Sequence, residues 1–211
     1  LLSLLDKNDT FNLGCVDVDV QWVFEGSVNV GSAAIDKALS FLEKRASLGW
    51  TDLPKMAQQI LPHLKPNTHV IYLGDGRSTA PPYDPAKIAQ HIQATLAGAQ
   101  GTFHVIRISE QYEAETLKAL SRGGCSLSAT DLESSQRAAQ EWSLSLERPT
   151  LHHLKVSFTG LPVACIWPEE IPRVVDGQQL IITGRYLPND TNQLTAHFEG
   201  DDGGLYDVQG E

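Results

Sequence analysis

Residues 68–79 read THVIYLGDGRST, and this stretch decides the fold. Its first part, Thr68–Leu73, is a short, continuous apolar run bounded by turn residues. Such a run is typical of a strand that is covered on both faces, as in a parallel sheet. Asp75 follows this strand between two glycines. We therefore predict that its carboxylate lies at the carboxyl end of the sheet, where open α/β sheets place their ligands.

Helical and strand-like segments alternate on both sides of this strand. Helices are predicted at Gly31–Arg45, Leu53–Leu64, Pro85–Ala97, Ala114–Arg122 and from Thr130 to about Leu146. Further strands are predicted at Phe11–Val16, continuing toward Gln21–Phe24, and at Phe103–Ile108 and Cys125–Leu127. This alternation implies right-handed βαβ crossovers. The predicted fold class is α/β, with a doubly wound, mostly parallel sheet and helices on both faces.

The pattern changes after Arg148-Pro149. Residues 151–158, 178–186 and 194–199 are rich in β-forming residues, are separated by turn signals and show no helical periodicity. We predict two domains: an N-terminally incomplete α/β domain over residues 1–148, and a small all-β segment over 149–211 that forms part of a β-sandwich. The tail from 199 to 211 is acidic and glycine-rich, so we expect it to be mobile.

Composition excludes several classes of partner. The chain has 16 Lys and Arg against 26 Asp and Glu, a net charge of −10. Nucleic acids and anionic membrane surfaces need clustered positive charge, so we expect neither as a partner. The longest apolar runs are strand-sized, whereas a membrane helix needs about 18 residues, so no membrane insertion is expected. Cys15, Cys125 and Cys165 are isolated, which excludes a disulfide framework and a sulfur-ligated zinc site.

The motifs of common enzymes are absent. The chain contains no Walker A, G-x-S-x-G or H-E-x-x-H motif. Residues 74–79 lack the third glycine of a dinucleotide-binding loop, and prolines follow them instead of a helix. We therefore expect a protein that is not an enzyme.

The start of the chain indicates that more protein precedes it. The sequence LLSLLDKNDT has no Met, no basic segment and no cleavage site of small residues, so we expect no signal peptide. Its leucines are typical of the last turns of an apolar helix. We interpret the sequence as part of a longer protein, whose missing N-terminal portion is a candidate partner.

Thr51 and Asp75 are the candidate metal ligands. They are separated by 24 positions and one predicted helix, so both side chains could reach the same crevice at the sheet edge. Their hard oxygens suit Mg²⁺ or Mn²⁺. Structural roles are open alternatives, since Thr51 or Asp52 could cap the second helix and Asp75 could form a turn beside Gly76.

Four segments in this order resemble a von Willebrand factor A (VWA) domain: FNLGCVDVDVQWVFEG (11–26), GWTDL (49–53), HVIYLGDGRST (69–79) and FHVIRIS (103–109). Residues 161–186, LPVACIWPEEIPRVVDGQQLIITGRY, resemble the β-rich region that follows this domain in proteins of the inter-alpha-trypsin inhibitor heavy-chain type, which carry a VIT domain ahead of it. The resemblance implies a location at the cell surface or in secreted material.

The resemblance also implies a metal-ion-dependent adhesion site. In that family an Asp-x-Ser-x-Ser loop after the first strand, a Thr and an Asp hold Mg²⁺ (or Mn²⁺ or Ca²⁺), and an acidic residue of a partner protein completes the coordination. Thr51 matches the Thr and Asp75 matches the Asp, whereas Gly74 stands where Thr or Ser is common. The Asp-x-Ser-x-Ser loop and its strand would lie upstream of Leu1.

These observations support two hypotheses. The first is a non-enzymatic protein-binding or adhesion module that uses a divalent cation when complete, with Trp50 either packed in its loop or lining the partner-binding rim. The second is a structural scaffold component of a larger assembly, in which the metal site is degenerate. Asp17 and Asp19 are expected to form a solvated strand edge rather than a second cation site.

Overall fold

The structure, a computed structural model, describes residues 1–46, 49–81, 83–147, 150–160, 162–168, 170–176, 179–187, 194–200 and 204–210. The chain divides into two compact units, Leu1–Leu144 and Ser145–Glu211. The domain limits predicted from the sequence, 1–148 and 149–211, stay a prediction. Within the described ranges, no helix combines the length and the apolar character that a membrane crossing requires.

The first unit alternates strands and helices. Its strands are β1 (Thr10–Phe11), β2 (Gly14–Val16), β3 (Val20–Trp22), β4 (Val28–Asn29), β5 (His69–Gly74), β6 (Thr102–Arg107) and β7 (Gly123–Ser128). The helices are α1 (Ser32–Glu43), α2 (Leu53–Ile60), α3 (Pro85–Leu96), α4 (Ala114–Leu120) and α5 (Leu132–Glu147), which begins in this unit. Short 3-10 helices span Leu2–Leu4 and Leu61–His63.

A three-stranded parallel sheet in the order β5-β6-β7 forms the centre of this unit. Helix α3 connects β5 to β6, and α4 connects β6 to β7, so the predicted α/β class with crossover helices is confirmed. The predicted strand Phe11–Val16 is divided instead: β1 pairs with β4, and β2 forms an antiparallel hairpin with β3. Among the described residues, β5 is hydrogen-bonded to another strand along one edge only.

The apolar core lies between this sheet and helices α2, α3 and α4. Each helix contributes an apolar stripe, such as Ile88, Ile92 and Leu96 at i, i+4 and i+8 on α3. The buried cluster comprises Leu53, Met56, Ala57, Ile60, Ile88, Ala89, Ile92, Leu96, Phe103, Val105, Leu117, Ala119 and Leu120. Burial of one such large aliphatic side chain contributes about 1.5–3 kcal/mol. This packing fixes the positions of α2, α3 and α4, whose first turns lie near the carboxyl ends of the strands.

Aspartates begin α2 and α3. The Asp52 carboxylate accepts a hydrogen bond from the Lys55 backbone N–H at 2.9 Å, and Asp84 caps α3 in the same way. Pro54 and Pro85 occupy the first turns, where a missing N–H costs nothing. The helix that follows Thr51 is therefore capped by the next residue, Asp52.

The opposite face of β6 carries His104, which is 1% exposed. Its ring packs edge-on against Trp142 of α5, with 6.1 Å between centroids. His104 Nδ1 accepts the Cys125 backbone N–H at 3.1 Å, so the neutral ring carries its proton on Nε2 and donates it to His69 Nδ1 at 3.0 Å. This histidine pair therefore links β5, β6 and β7 on one face.

Asp17 and Asp19 lie in the turn between β2 and β3, and the expectation of a solvated strand edge is wrong for Asp17. That residue is 7% exposed, and its carboxylate forms an ion pair with Arg45, just after α1. Asp19 pairs with Lys55 of α2 at 2.6 Å and accepts a hydrogen bond from Gln59 at 3.0 Å. The two carboxylates thus tie the hairpin to α2 and to the segment that follows α1.

The second unit is all-β. Its strands are β8 (Thr150–Thr159), β9 (Val163–Trp167), β10 (Glu170–Val175), β11 (Thr183–Tyr186), β12 (Leu194–Glu199) and β13 (Leu205–Gly210). Four of them form an antiparallel sheet in the order β10-β8-β12-β13, and β9 pairs with β11. The expectation of a mobile tail is wrong for residues 205–210, because β13 pairs with β12 along its whole length.

The Asp17→Asn variant should lower the free energy of unfolding by about 3 kcal/mol, since it leaves the Arg45 guanidinium largely buried without its counter-charge. The matched control is Asp19→Asn. Its ion pair is half exposed, so the loss should stay below about 1 kcal/mol. Urea unfolding of both variants measures the difference, and equal losses would contradict the assigned role of Asp17.

Candidate functional site

Backbone hydrogen bonds connect the Thr51 loop to the segment that follows Asp75. The Thr51 carbonyl oxygen accepts three of them, from the backbone N–H groups of Thr79 (2.9 Å) and Ala80 (3.1 Å) and from the Ser78 hydroxyl (3.0 Å). The Thr51 N–H donates to the Thr79 hydroxyl at 2.8 Å. The two loops that the sequence singles out are therefore held together, although they are separated by a helix and a strand.

These hydrogen bonds use only the backbone of Thr51 and leave its side chain out. Asp52 caps α2, and its own N–H donates to the Asp17 carbonyl at 2.9 Å. Among the described residues, no hydrogen-bond partner is found for the Thr51 hydroxyl. Of the two capping residues left open by the sequence, the structure selects Asp52, so Thr51 keeps an oxygen that a ligand can use.

Asp75 directly follows β5 and forms a turn. Its Oδ1 accepts the Arg77 N–H at 3.0 Å, and its carbonyl oxygen accepts the Glu113 N–H at 2.8 Å. Gly76 has a positive φ of 76°, and a Cβ there would come within 2.9 Å of Leu117 and of the Glu113 carbonyl. The turn-forming role is therefore present, and it fixes the carboxylate at the carboxyl end of the sheet.

Tyr72 explains the glycine at position 74. Its hydroxyl accepts the Gly76 N–H at 3.3 Å, and a Cβ on Gly74 would collide with its ring. Burial raises the pKa of Tyr72 to about 12; the Gly76 hydrogen bond opposes this rise, and the negative charge of Asp75 adds to it. The tyrosine thus takes the space that a side chain at position 74 would need.

The donors present suit a hard divalent cation in kind but are few in number. Thr51 supplies a hydroxyl oxygen and Asp75 a carboxylate oxygen, which match the preference of Mg²⁺, an ion that usually keeps several waters. Within the part of the chain that the structure describes, no group of three or more His, Cys, Asp or Glu side chains could hold a metal. The described residues therefore supply two oxygens of the kind that Mg²⁺ prefers, fewer than a closed cage needs.

Trp50 lies beside this site in the same loop. Its side chain is 53% exposed. Of the two roles left open by the sequence, a packed loop aromatic and a rim residue, this exposure favours the rim.

A hydrogen-bonded row in the second unit has no local sequence signal. His197 Nδ1 lies 2.7 Å from Asp207 Oδ1, and His197 Nε2 lies 2.7 Å from the Thr159 hydroxyl. The three residues come from neighbouring strands and meet only through the register of the sheet. Asp207 is largely exposed, so these groups act as cross-strand links on a solvated face.

A polar cleft near Asp75 also escaped the sequence reasoning. It lies at the carboxyl ends of β6 and β7, has a volume of about 560 Å³ and is lined by Arg107, Tyr112 and Lys118 together with serines from β7. The sequence signal that could have found it was Arg107, the one Lys, Arg, Asp or Glu in the predicted strand region FHVIRIS (103–109). A charge at the carboxyl end of a buried strand points to the ligand-binding edge.

Comparison with protein families agrees with this architecture. The model of the von Willebrand factor type A domain matches residues 2–125, more than half of the chain. The chain belongs to this family. VWA domains commonly mediate protein interactions, so the family supports a protein-binding role in general terms. Comparison with curated proteins finds no match.

Comparison with solved structures supports the same fold through the first of the two matches below. A von Willebrand factor type A protein from Catenulispora acidiphila has a TM-score of 0.59 and 16% identity, over 99% of this chain and 58% of that one. The ArnB paralog VWA2 from Sulfolobus acidocaldarius has a TM-score of 0.39 and 17% identity, over 95% of this chain and 54% of that one. The chain thus spans less than two thirds of the length of both proteins.

Tyr72 should be the last tyrosine to ionise in the folded VWA domain. A free phenol has a pKa near 10, and the pKa of Tyr72 is about 12. Because the folded pKa is raised, the contribution of Tyr72 to stability is complete below about pH 10 and is lost as the pH rises through 12.

An ultraviolet titration that follows phenolate absorbance as the pH rises measures the ionisation of the tyrosines. Of the five tyrosines, one should titrate late, and Tyr72→Phe should remove that component. Tyr83→Phe is the control, because Tyr83 is 68% exposed. A late component that survives in Tyr72→Phe would show that another tyrosine is the buried one.

Proposed function

We propose that this chain is a non-enzymatic, protein-binding VWA module. In this proposal Thr51 and Asp75 contribute oxygens to a divalent-cation site, and an acidic side chain of a partner protein completes the coordination. The observation that carries the proposal is the set of hydrogen bonds from Ser78, Thr79 and Ala80 to the Thr51 carbonyl, which holds the Thr51 loop against the segment after Asp75.

The chemistry of the two side chains supports Mg²⁺ as the resident ion, with Mn²⁺ or Ca²⁺ as substitutes. Asp75 uses Oδ1 for its turn, and among the described residues its other carboxylate oxygen accepts no hydrogen bond. Mg²⁺ is commonly held by one or two carboxylates and retains waters that a partner's carboxylate can replace. The rest of the site would come from a loop of the Asp-x-Ser-x-Ser type.

The finer family assignment belongs to the same proposal. The resemblance of residues 161–186 to the region after the VWA domain in VIT-containing proteins supports that subtype. It also supports a role in adhesion at the cell surface or among secreted proteins. The absence of common catalytic motifs supports a module that binds rather than reacts.

A structural scaffold with a degenerate metal site is the second candidate. Two observations favour it: the described residues contain no cluster of three acidic or His/Cys ligands, and one oxygen of Asp75 is already used by the turn to Arg77. The two candidates differ in their response to EDTA. Chelation should release the partner from a metal-dependent adhesion module and leave a scaffold assembly unchanged.

Titration of the full 211-residue chain with Mn²⁺ tests the metal site. Paramagnetic broadening in a nitrogen–proton NMR spectrum should centre on the amides of residues 51 and 75–77. The variant Asp75→Asn keeps an oxygen for the Arg77 N–H but loses the charge, so the Mn²⁺ affinity should fall by about tenfold or more. Thr51→Val should also weaken binding, while Thr51→Ser keeps the hydroxyl and should bind like the original chain.

Asp36→Asn is the matched control, because Asp36 is an exposed carboxylate on α1 and belongs to neither loop. It should leave the broadening unchanged. Broadening that is equally strong in Asp75→Asn, or that spreads over exposed acidic residues in general, would reject Thr51 and Asp75 as ligands.

A further inference from the structure

We propose that the cleft at the carboxyl ends of β6 and β7 binds a carboxylate side chain of a partner protein through Arg107 and Lys118. The proposal rests on the proposed function in one respect, that the ligand belongs to a protein. It does not depend on the metal site, because the binding groups are cationic side chains and hydroxyls.

The strand pattern directs Arg107 into the cleft. Phe103 and Val105 of β6 are buried in the core cluster that α4 shares. Side chains alternate along a strand, so Arg107 lies on the same face as these two residues. There it meets Lys118 of α4 and the serines 126 and 128 of β7, which line the cleft.

Two contacts hold the guanidinium in a fixed orientation. Nη2 of Arg107 donates to the Ser128 hydroxyl at 2.9 Å, and the guanidinium carbon lies 4.3 Å from the centre of the Tyr112 ring. Stacking on an aromatic face orients the planar group and reduces the freedom lost on binding. An arginine fixed in this way presents its remaining N–H donors as a fork, the geometry that matches a carboxylate.

Both charged residues that line the cleft are cations, in a chain that is acidic overall. The net charge is −10, yet Arg107 and Lys118 both line this cavity. Glu110 lies 3.8 Å from Arg107 with a side chain that is 80% exposed, a weak pair that an incoming carboxylate can replace. Lys118 forms no ion pair within the described residues. The charged side chains that line the cleft therefore favour an anion.

Apolar groups in the same cavity favour a carboxylate on a side chain over a free inorganic anion. Leu117, Leu127 and the ring of Tyr112 line the cleft beside the cations. The methylene groups of Asp or Glu can pack against these surfaces while the carboxylate meets the guanidinium. Arginine and tyrosine are also the residue types enriched at protein interfaces.

The cleft shares a chain segment with the Asp75 loop. Glu113 donates its N–H to the Asp75 carbonyl oxygen, and Leu117 packs beside Gly76. Leu117 also lines the cleft. An acidic segment of a partner bound near Asp75 would therefore have a second carboxylate subsite within the same edge of the domain.

The test is an NMR titration of the full chain in EDTA, so that no metal contributes. The probe is the blocked peptide acetyl-Gly-Glu-Glu-Gly-amide, and its Gln-Gln analogue is the neutral control. Inorganic phosphate forms a separate arm. We expect the Glu peptide alone to shift the amides of residues 112–118 and 126–128.

Charge-reversal variants provide matched controls. Lys118→Glu should weaken peptide binding by about fivefold or more. Arg107→Lys keeps the charge and a donor for Ser128 but loses the fork, so it should also weaken binding. Lys65→Glu makes the same change in charge just before the amino end of β5, whereas the cleft lies at the carboxyl ends of the strands. This variant should bind the peptide like the original chain.

Several results would overturn the proposal: equal shifts with the Gln peptide, unchanged binding by Lys118→Glu, equal losses in Lys65→Glu, or shifts with phosphate but none with the Glu peptide. These outcomes are independent of the Mn²⁺ titration. Failure of the metal site leaves peptide binding in EDTA untouched, and failure of the cleft leaves Mn²⁺ binding by Thr51 and Asp75 untouched.

Discussion

The carbonyl oxygen of Thr51 is the acceptor on which the arrangement of the loops at the carboxyl ends of the strands depends. It receives hydrogen bonds from two backbone N–H groups and one hydroxyl in residues 78–80, and so connects the beginning of α2 to the loop after β5. A carbonyl oxygen with three donors is costly to displace. The position of the Thr51 hydroxyl relative to the Asp75 turn follows from this connection.

The apolar core also fixes the position of these loops. Helices α2, α3 and α4 pack one apolar surface against the parallel sheet, which fixes their first turns near the carboxyl ends of β5 and β6. The Tyr72 hydroxyl accepts the Gly76 N–H, which holds the Asp75 loop against the end of β5. Leu117 of α4 packs against Gly76 on the other side of this loop. Two distinct chemistries, hard oxygens around Asp75 and cations around Arg107, therefore meet at one edge. That arrangement suits a module that recognises an acidic partner at more than one point.

The sequence predicts the elements whose signals are local. The apolar run before Asp75 and the i, i+4, i+8 stripe of α3 identify β5 and one of its covering helices, because burial on both sides leaves a direct pattern. The loop residues Thr51 and Asp75 are also accessible to sequence reasoning, since both adjoin predictable elements. Their role in binding metal stays a prediction.

Features that depend on distant pairs were missed or misjudged. Asp17 was expected to be solvated, but its partner Arg45 lies 28 positions away, after α1, so no local pattern in the sequence indicates the ion pair. Strand β13 was hidden in an acidic tail because its stability comes from pairing with β12 rather than from apolar residues. The Arg107 cleft likewise needs the β6–β7 register, which no spacing in the sequence encodes.

The central claim is that Thr51 and Asp75 share one divalent cation. Anomalous X-ray scattering from crystals of the chain grown with Mn²⁺ tests it most directly. We expect one anomalous peak for Mn²⁺, with the Thr51 hydroxyl oxygen and an Asp75 carboxylate oxygen each about 2.1 Å from it, close to the Mg²⁺–oxygen distance. A structure with both loops ordered and no peak between these two oxygens, or with the peak held by other side chains, would contradict it.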